Sequence, residues 1–144
     1  MEKKISIVLP TYNEKENIAE MAGQLTKLVK DLYEIIIVDD DSPDLTWKVA
    51  EGVAKKNHKV RVIRRIGERG LAAAIARGVN ESRGNIVGWM DADLAHPPVL
   101  VQKMADSIPE YDVVIGSRYV RGGGDERSIL RKITSRMINF YTSF

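Results

Sequence analysis

The sequence has no cysteine, which excludes a disulfide framework, a thiolate nucleophile and a cysteine-built zinc site. It has only two histidines, so a metal ion would have to be held by carboxylates or by those imidazoles. No apolar run approaches the ~18 residues needed to cross a bilayer. The opening MEKKISIVLP passes from charges straight into a strand-like run instead of a signal peptide, and a cytoplasmic chain is expected. Low-complexity segments are absent as well. With 44% hydrophobic and 29% charged residues, the composition argues against disorder, collagen-like repeats and a coiled coil.

Glycine is missing where two common phosphate-binding motifs need it. The first apolar run is followed by Pro10-Thr11-Tyr12-Asn13-Glu14. A dinucleotide fingerprint requires GxGxxG at this turn, and a P-loop requires GxxxxGK[ST], because only glycines let the backbone approach a pyrophosphate. A nicotinamide-dependent oxidoreductase and a P-loop nucleoside triphosphatase are therefore disfavoured. A bound nucleoside diphosphate would be neutralised by something other than this loop.

What is present suits one domain. A chain of 144 residues buries roughly two thirds of its unfolded surface on folding. The net charge of +2 conceals two unlike parts divided at Ser117. Residues 118–144 carry six basic residues (Arg118, Arg121, Arg127, Arg131, Lys132, Arg136) against two acidic ones (Asp125, Glu126), leaving 16 basic and 18 acidic residues in 1–117. A basic end on a mildly acidic body points to an anionic partner, either phosphate or a membrane surface, with a solvated helix face as the plainer reading. A nucleic-acid partner is not expected.

Short β-branched runs alternate with segments of helical spacing. Strands are expected at Ile5 to Leu9, Ile35 to Val38, Val60 to Ile63, Ile86 to Met90 and Val113 to Ile115. Helices are expected at about Glu16 to Lys30, Leu45 to Lys56, Leu71 to Ser82 and Pro97 to Ile108. This order implies right-handed crossovers, a mainly parallel sheet and helices on both faces. Ligands of such sheets bind outside the carboxyl ends of the strands.

Two acidic clusters stand at such ends. The second strand runs into Asp39-Asp40-Asp41-Ser42-Pro43-Asp44. Alternation sends Asp39 and Asp41 to one side and Asp40 to the other. Carboxylates there suit hydrogen bonds to ribose hydroxyls or base N–H groups, and Asp39 and Asp41 are the candidates, whereas Asp44 reads as a helix cap. The fourth strand runs into Asp91-Ala92-Asp93. Two hard oxygen ligands at i and i+2 suit Mg²⁺ or Mn²⁺, which keep waters and complete their shell with substrate phosphate oxygens. His96 is a further possible ligand, although a lone histidine beside prolines is more often a packed or capping residue.

Taken in order, IVLPTYNEKENI, IIIVDDDSPDLT, ERGLAAAIARG, GWMDADLAHPP and VVIGSRYVRGGG resemble the family 2 glycosyltransferases, most of all their dolichol-phosphate (polyprenyl-phosphate) mannosyltransferase group. The resemblance covers essentially the whole chain. It implies a GT-A type, Rossmann-like three-layer α/β sandwich, and inverting transfer of a sugar from a nucleotide-sugar donor to a polyprenyl or dolichyl phosphate with Mg²⁺ or Mn²⁺ as cofactor. Pro10, Tyr12 and Glu14 would line the donor nucleotide, Asp39 and Asp41 would contact its base and ribose, and Arg69 would lie near it. Asp91 and Asp93 match the metal motif. Arg118, Arg131 and Ser135 match positions that hold the acceptor phosphate and the reacting sugar phosphate, so that Asp93, Arg118 and Arg131 would carry the catalysis. Both GDP-mannose and UDP-glucose remain open as donor, GDP-mannose following from the stronger resemblance. No strong base is needed, because a phosphate monoester with a second pKa near 6 is already largely ionised at neutral pH.

Residues 1–117 would then form the nucleotide-sugar-binding core, and residues 118–144 a basic segment and amphipathic helix of the same domain. Ile129, Ile133, Met137 or Ile138, Tyr141 and Phe144 recur at three- and four-residue steps, a stripe that suits a membrane surface, packing on the sheet, or a second copy of the chain. Three positions depart from the family pattern. Ala95 stands where a glutamine usually helps hold the metal, Leu45 where glycine is usual, and Val99 where an acid is expected. The helical pattern also runs to Phe144 without Gly or Pro to end it. A shortened version of the family's enzyme is therefore expected, with a nucleotide- and metal-binding module lacking turnover as the alternative.

Overall fold

In a computed structural model, residues 2–117 are described. The chain divides into two compact units, Met1–Val114 and Ile115–Phe144, and the first contains all the regular elements described below. Four strands alternate with four helices: β1 (Ile5–Thr11), α1 (Ile18–Leu28), β2 (Leu32–Asp39), α2 (Thr46–Lys56), β3 (Val60–Arg64), α3 (Leu71–Asn80), β4 (Ile86–Trp89) and α4 (Val99–Ser107). Each of these lies within a few residues of the run or periodic segment that predicts it.

The strands form one sheet in the order β3-β2-β1-β4, and every pair is parallel. Progress from β1 to β3 is in one direction, and β4 then returns to the far side of β1. A crossover of constant hand that reverses direction must use the opposite face of the sheet, and α3 lies there. Ile5, Ile7, Leu9, Ile35 and Ile37 pack with Ile18, Met21 and Leu25 of α1, Ala50 of α2 and Ala105 of α4. The alternate residues Val8, Ile36 and Val38 pack with Ala74 of α3. Burial on both faces explains why β1 and β2 read as continuous apolar runs instead of alternating ones.

Two local features depend on sequence detail. β1 continues through Pro10 to Thr11, with Pro10 opposite Val38. Val8 turns its carbonyl toward the Met90 amide at 3.1 Å, so Pro10, two residues on, turns its missing N–H to that same side, beyond the end of β4. Gly78 of α3 faces the sheet, where a Cβ would run into Val8 Cγ1 and come within 3.2 Å of Val38 Cγ2. The absent side chain is what lets α3 lie this close.

One expected strand does not form. Val113 to Ile115 carries no strand, with Val113 72% and Ile115 81% exposed. A β-branched run becomes a strand only where a neighbour supplies its ladder, and no described strand does so here.

Candidate functional site

The carboxyl ends of β1, β2 and β4 lie side by side, and the loop from β3 to α3 closes over the first two. The turn after β1 is fixed by hydroxyls from the turn after β2. Asn13, with a left-handed φ of 62°, donates its amide to Ser42 Oγ at 3.1 Å. The Glu14 amide donates to Thr46 Oγ1 at 2.9 Å. Asp44 is not the cap of α2 but stands one residue before the N-cap Leu45, and it accepts from the Thr46 amide at 2.9 Å and from its hydroxyl at 2.6 Å. Burial opposes its ionisation, but these two bonds and the Lys15 amide outweigh it and hold the Asp44 carboxyl below its ordinary range.

The acidic run after β2 separates by face. Asp39 is fully buried. Its carboxylate accepts from the Thr11 hydroxyl at 2.8 Å, the Ser42 amide at 2.9 Å and the Ser42 hydroxyl at 2.7 Å. These bonds lock the two strand ends together. Asp41 has a left-handed φ of 51° and accepts from Arg64 Nε at 2.6 Å, while the Arg64 guanidinium stacks 3.7 Å from the ring centroid of Trp47 in α2. Neither Asp39 nor Asp41 lines the cleft beside this turn; Asp40 does.

That cleft has a volume of about 270 Å³ and is lined by Pro10, Thr11, Tyr12, Asp40, Arg69, Gly70, Leu71 and Ala74. Tyr12 is 43% exposed, and the Arg69 guanidinium lies 4.9 Å from its ring centroid, within cation–π range. Asp40 Oδ2 accepts from the Gly70 amide at 2.8 Å and from Arg65 Nη2 at 3.3 Å. Asp40 Oδ1 lies 2.8 Å from Arg65 Nε but has no aligned hydrogen bond among the described residues. Pro10, Tyr12 and Arg69 thus come together on one cleft. Glu14 is not part of its lining; it accepts from Asn17 Nδ2 at 2.9 Å at the entry to α1.

Asp91 and Asp93 follow β4, whose Trp89 pairs with Val8 of β1. Ala92 between them is buried in the α1-side core, while Asp91 is half-buried and Asp93 exposed. Asp93 Oδ1 accepts from the Ala95 amide at 2.9 Å across Leu94, whose φ is 61°. Among the described residues no group of three or more His, Cys, Asp or Glu side chains could hold a metal ion. Two hard carboxylates nevertheless fit a Mg²⁺ or Mn²⁺ ion that takes most of its shell from water and phosphate. Arg118, Arg131 and Ser135 lie outside the described residues, as does the amphipathic stripe from Ile129 to Phe144.

The residue that sequence reasoning passed over is Asp40. Alternation did separate it from Asp39, but only the position of α3 decides which face of the sheet carries the cleft. Among the described residues no helix is long and apolar enough to cross a membrane.

Comparison with known proteins shows the family and the fold. The profile of glycosyl transferase family 2 matches residues 6–144. The chain is 45% identical over 136 residues to the dolichol-phosphate mannosyltransferase of Pyrococcus furiosus, covering 92% of this chain and 38% of that protein. It spans less than half the length of the curated relatives it matches. Among solved structures, the mannosyltransferase PcManGT of Pyrobaculum calidifontis in complex with GDP-Man and Mn²⁺ superposes with a TM-score of 0.58 at 26% identity, over 65% of this chain and 28% of that one. Glucosyl-3-phosphoglycerate synthase of Mycobacterium tuberculosis, in complex with Mn²⁺, UDP and glucosyl-3-phosphoglycerate, gives 0.62 at 26% identity, over 74% and 39%.

Proposed function

The chain belongs to glycosyl transferase family 2, with the GT-A fold, and from that premise we propose that its cleft binds the nucleotide of a nucleotide-sugar donor, GDP-mannose, whose sugar the whole protein transfers to a polyprenyl or dolichyl phosphate. The observation that carries this reading is the cleft itself. Its walls, Pro10 and Tyr12 on one side and Leu71 and Ala74 on the other, suit a flat ring. Its lining includes one carboxylate, Asp40, which is 6% exposed and whose Oδ2 also accepts from Gly70 and Arg65. A carboxylate only accepts hydrogen bonds, so it favours a ring edge that donates. Guanine donates from N1 and N2 side by side, whereas uracil donates from N3 alone between two carbonyls. Names among the relatives support the same choice: a dolichol-phosphate mannosyltransferase and a mannosyltransferase structure holding GDP-Man.

Arg69, at the rim of the cleft, supplies positive charge where the missing glycine loop would otherwise have met a diphosphate. Asp91 and Asp93 would hold Mg²⁺ or Mn²⁺, which when bound stabilises the departing nucleoside diphosphate as a Lewis acid. Arg118, Arg131 and Ser135 belong to the same proposal as the residues that hold the acceptor phosphate. Arginines clamp a phosphate bidentately and offset the repulsion between two anions brought together for in-line attack. Peripheral contact with the membrane bearing the acceptor follows from the chemistry of a polyprenyl tail.

Thermal unfolding with GDP, UDP and their sugars, each with and without Mn²⁺, tests the donor half. A ligand raises the transition only by preferring the folded state. GDP and GDP-mannose are expected to stabilise the chain more than their uridine counterparts do, and Tyr12→Ala to abolish the shift. No stabilisation by any nucleotide would overturn the reading. Turnover with a polyprenyl phosphate acceptor tests the second half.

A further inference from the structure

Resting on the reading of the cleft as a nucleotide site, we propose that Arg65 is a positioning residue for base recognition, acting through Asp40 without touching the ligand. Arg65 follows β3 directly, and its amide donates to the Asp39 carbonyl at 2.8 Å, carrying the ladder one residue past the strand. Alternation then sends Arg64 toward Trp47 and Arg65 to the α3 face. The Arg65 side chain is only 3% exposed. A guanidinium buried to that degree is costly unless anions meet it. Its Nε lies 2.8 Å from Asp40 Oδ1 and its Nη2 donates to Asp40 Oδ2 at 3.3 Å. Glu68, mostly exposed, approaches Nη1 only to 3.9 Å.

Two consequences follow for the cleft. The Asp40 carboxylate faces the Arg65 guanidinium, with one hydrogen bond from Nη2 and a close but unaligned approach of Nε, and also accepts from the Gly70 amide at 2.8 Å, so its orientation is set before a ligand arrives. Gly70 also begins α3, whose Leu71 and Ala74 form the opposite wall, so the same pair helps set the width of the slot. In addition, a lone carboxylate beside a nucleoside diphosphate would repel it, whereas an Asp–Arg pair is neutral. A lysine would restore the charge but not the fork that meets both oxygens.

The test compares GDP and UDP affinity by calorimetry for the full chain, Arg65→Lys and Arg65→Met, with urea unfolding as a check on folding. Arg65→Met is expected to weaken GDP at least tenfold. Arg65→Lys, which keeps the charge and is the variant to rely on if the methionine form does not fold, is expected to lower the GDP-over-UDP preference at least threefold. In the cycle with Asp40→Asn, the double variant Arg65→Met/Asp40→Asn is expected to be no weaker than Asp40→Asn alone. A merely structural arginine would weaken both nucleotides by the same factor. An unchanged GDP-over-UDP preference in Arg65→Lys, or additive losses in the cycle, overturns the proposal while the wild type still binds GDP. Failure of the wild type to bind any nucleotide overturns the nucleotide reading together with it.

Discussion

The guanidinium of Arg61 on β3 stands 2.7 Å from the carboxylate of Glu34 on β2, at the end of the sheet away from the cleft. The Ser6 hydroxyl donates to the same carboxylate at 2.9 Å and the Arg83 amide at 2.7 Å. Burial works against ionisation of Glu34, but these partners outweigh it and hold the carboxyl below its ordinary value of 4.5. A carboxyl depressed on folding contributes its full stability above its unfolded pKa and loses it as pH falls through the lower folded value. Urea unfolding should therefore be flat from neutral pH down to about pH 5 and weaken below that. Glu34→Gln should be less stable by about 1–3 kcal/mol at pH 7, and the difference from wild type should shrink on acidification.

Gly78→Ala places a methyl group against Val8 and Val38. Overpacking of this kind costs about 1–3 kcal/mol, and here the strain would also push α3, one wall of the cleft, off the sheet. Chemical denaturation should show the loss of stability, and nucleotide titration a parallel loss of affinity.

Leu45 precedes α2 with φ 69° and ψ 29°, a left-handed conformation that glycine adopts freely. That conformation costs a side-chain-bearing residue about 1–2 kcal/mol, against about 0.5–1 kcal/mol for the extra freedom glycine loses on folding. Leu45 is 42% exposed, so loss of its partly buried side chain offsets part of that relief. Leu45→Gly should change stability by no more than about 1 kcal/mol, the relief of strain being offset by glycine's entropy and by lost packing, measured by urea unfolding.

Asp91→Asn and Asp93→Asn should each remove the extra stabilisation that Mn²⁺ gives to nucleotide-bound protein. For a ligand at a hundred times its Kd, that stabilisation is about 2.7 kcal/mol. The readout is thermal unfolding with GDP and Mn²⁺, repeated with excess chelator. The variants in Mn²⁺ should match the wild type in chelator.

The sequence was most informative where burial is two-sided. Ile35, Ile36 and Ile37 mark β2 whichever face each one takes, and the helical periods of 18–28 and 46–56 need only one face each. Pro10 misleads at the end of β1, because its missing N–H is tolerated only once β4 is known to end beside Val8. Val113 to Ile115 misleads in the opposite direction, since its composition suits a strand but supplies no partner. The cleft was half legible. Pro10, Tyr12 and Arg69 followed from the family resemblance, whereas Asp40 and Arg65 required knowing that α3 crosses on the face opposite α1 and α2.

Strand order also separates local pairings from distant ones. β2 joins β1 after one helix, but the pairing of β1 with β4 closes a much longer excursion, as in the bond from the Lys4 amide to Asn85 Oδ1 at 2.8 Å across 81 residues of chain. Closing a longer loop costs more chain entropy before its contacts form. Pro10, Tyr12 and Asp40 stand at the ends of the locally paired β1 and β2, whereas the α3 wall of the cleft and the Asp91–Asp93 half both depend on the chain that returns across the sheet. A donor that touches both halves would fasten the β1–β4 pairing, the strand pairing of greatest sequence separation in the described sheet.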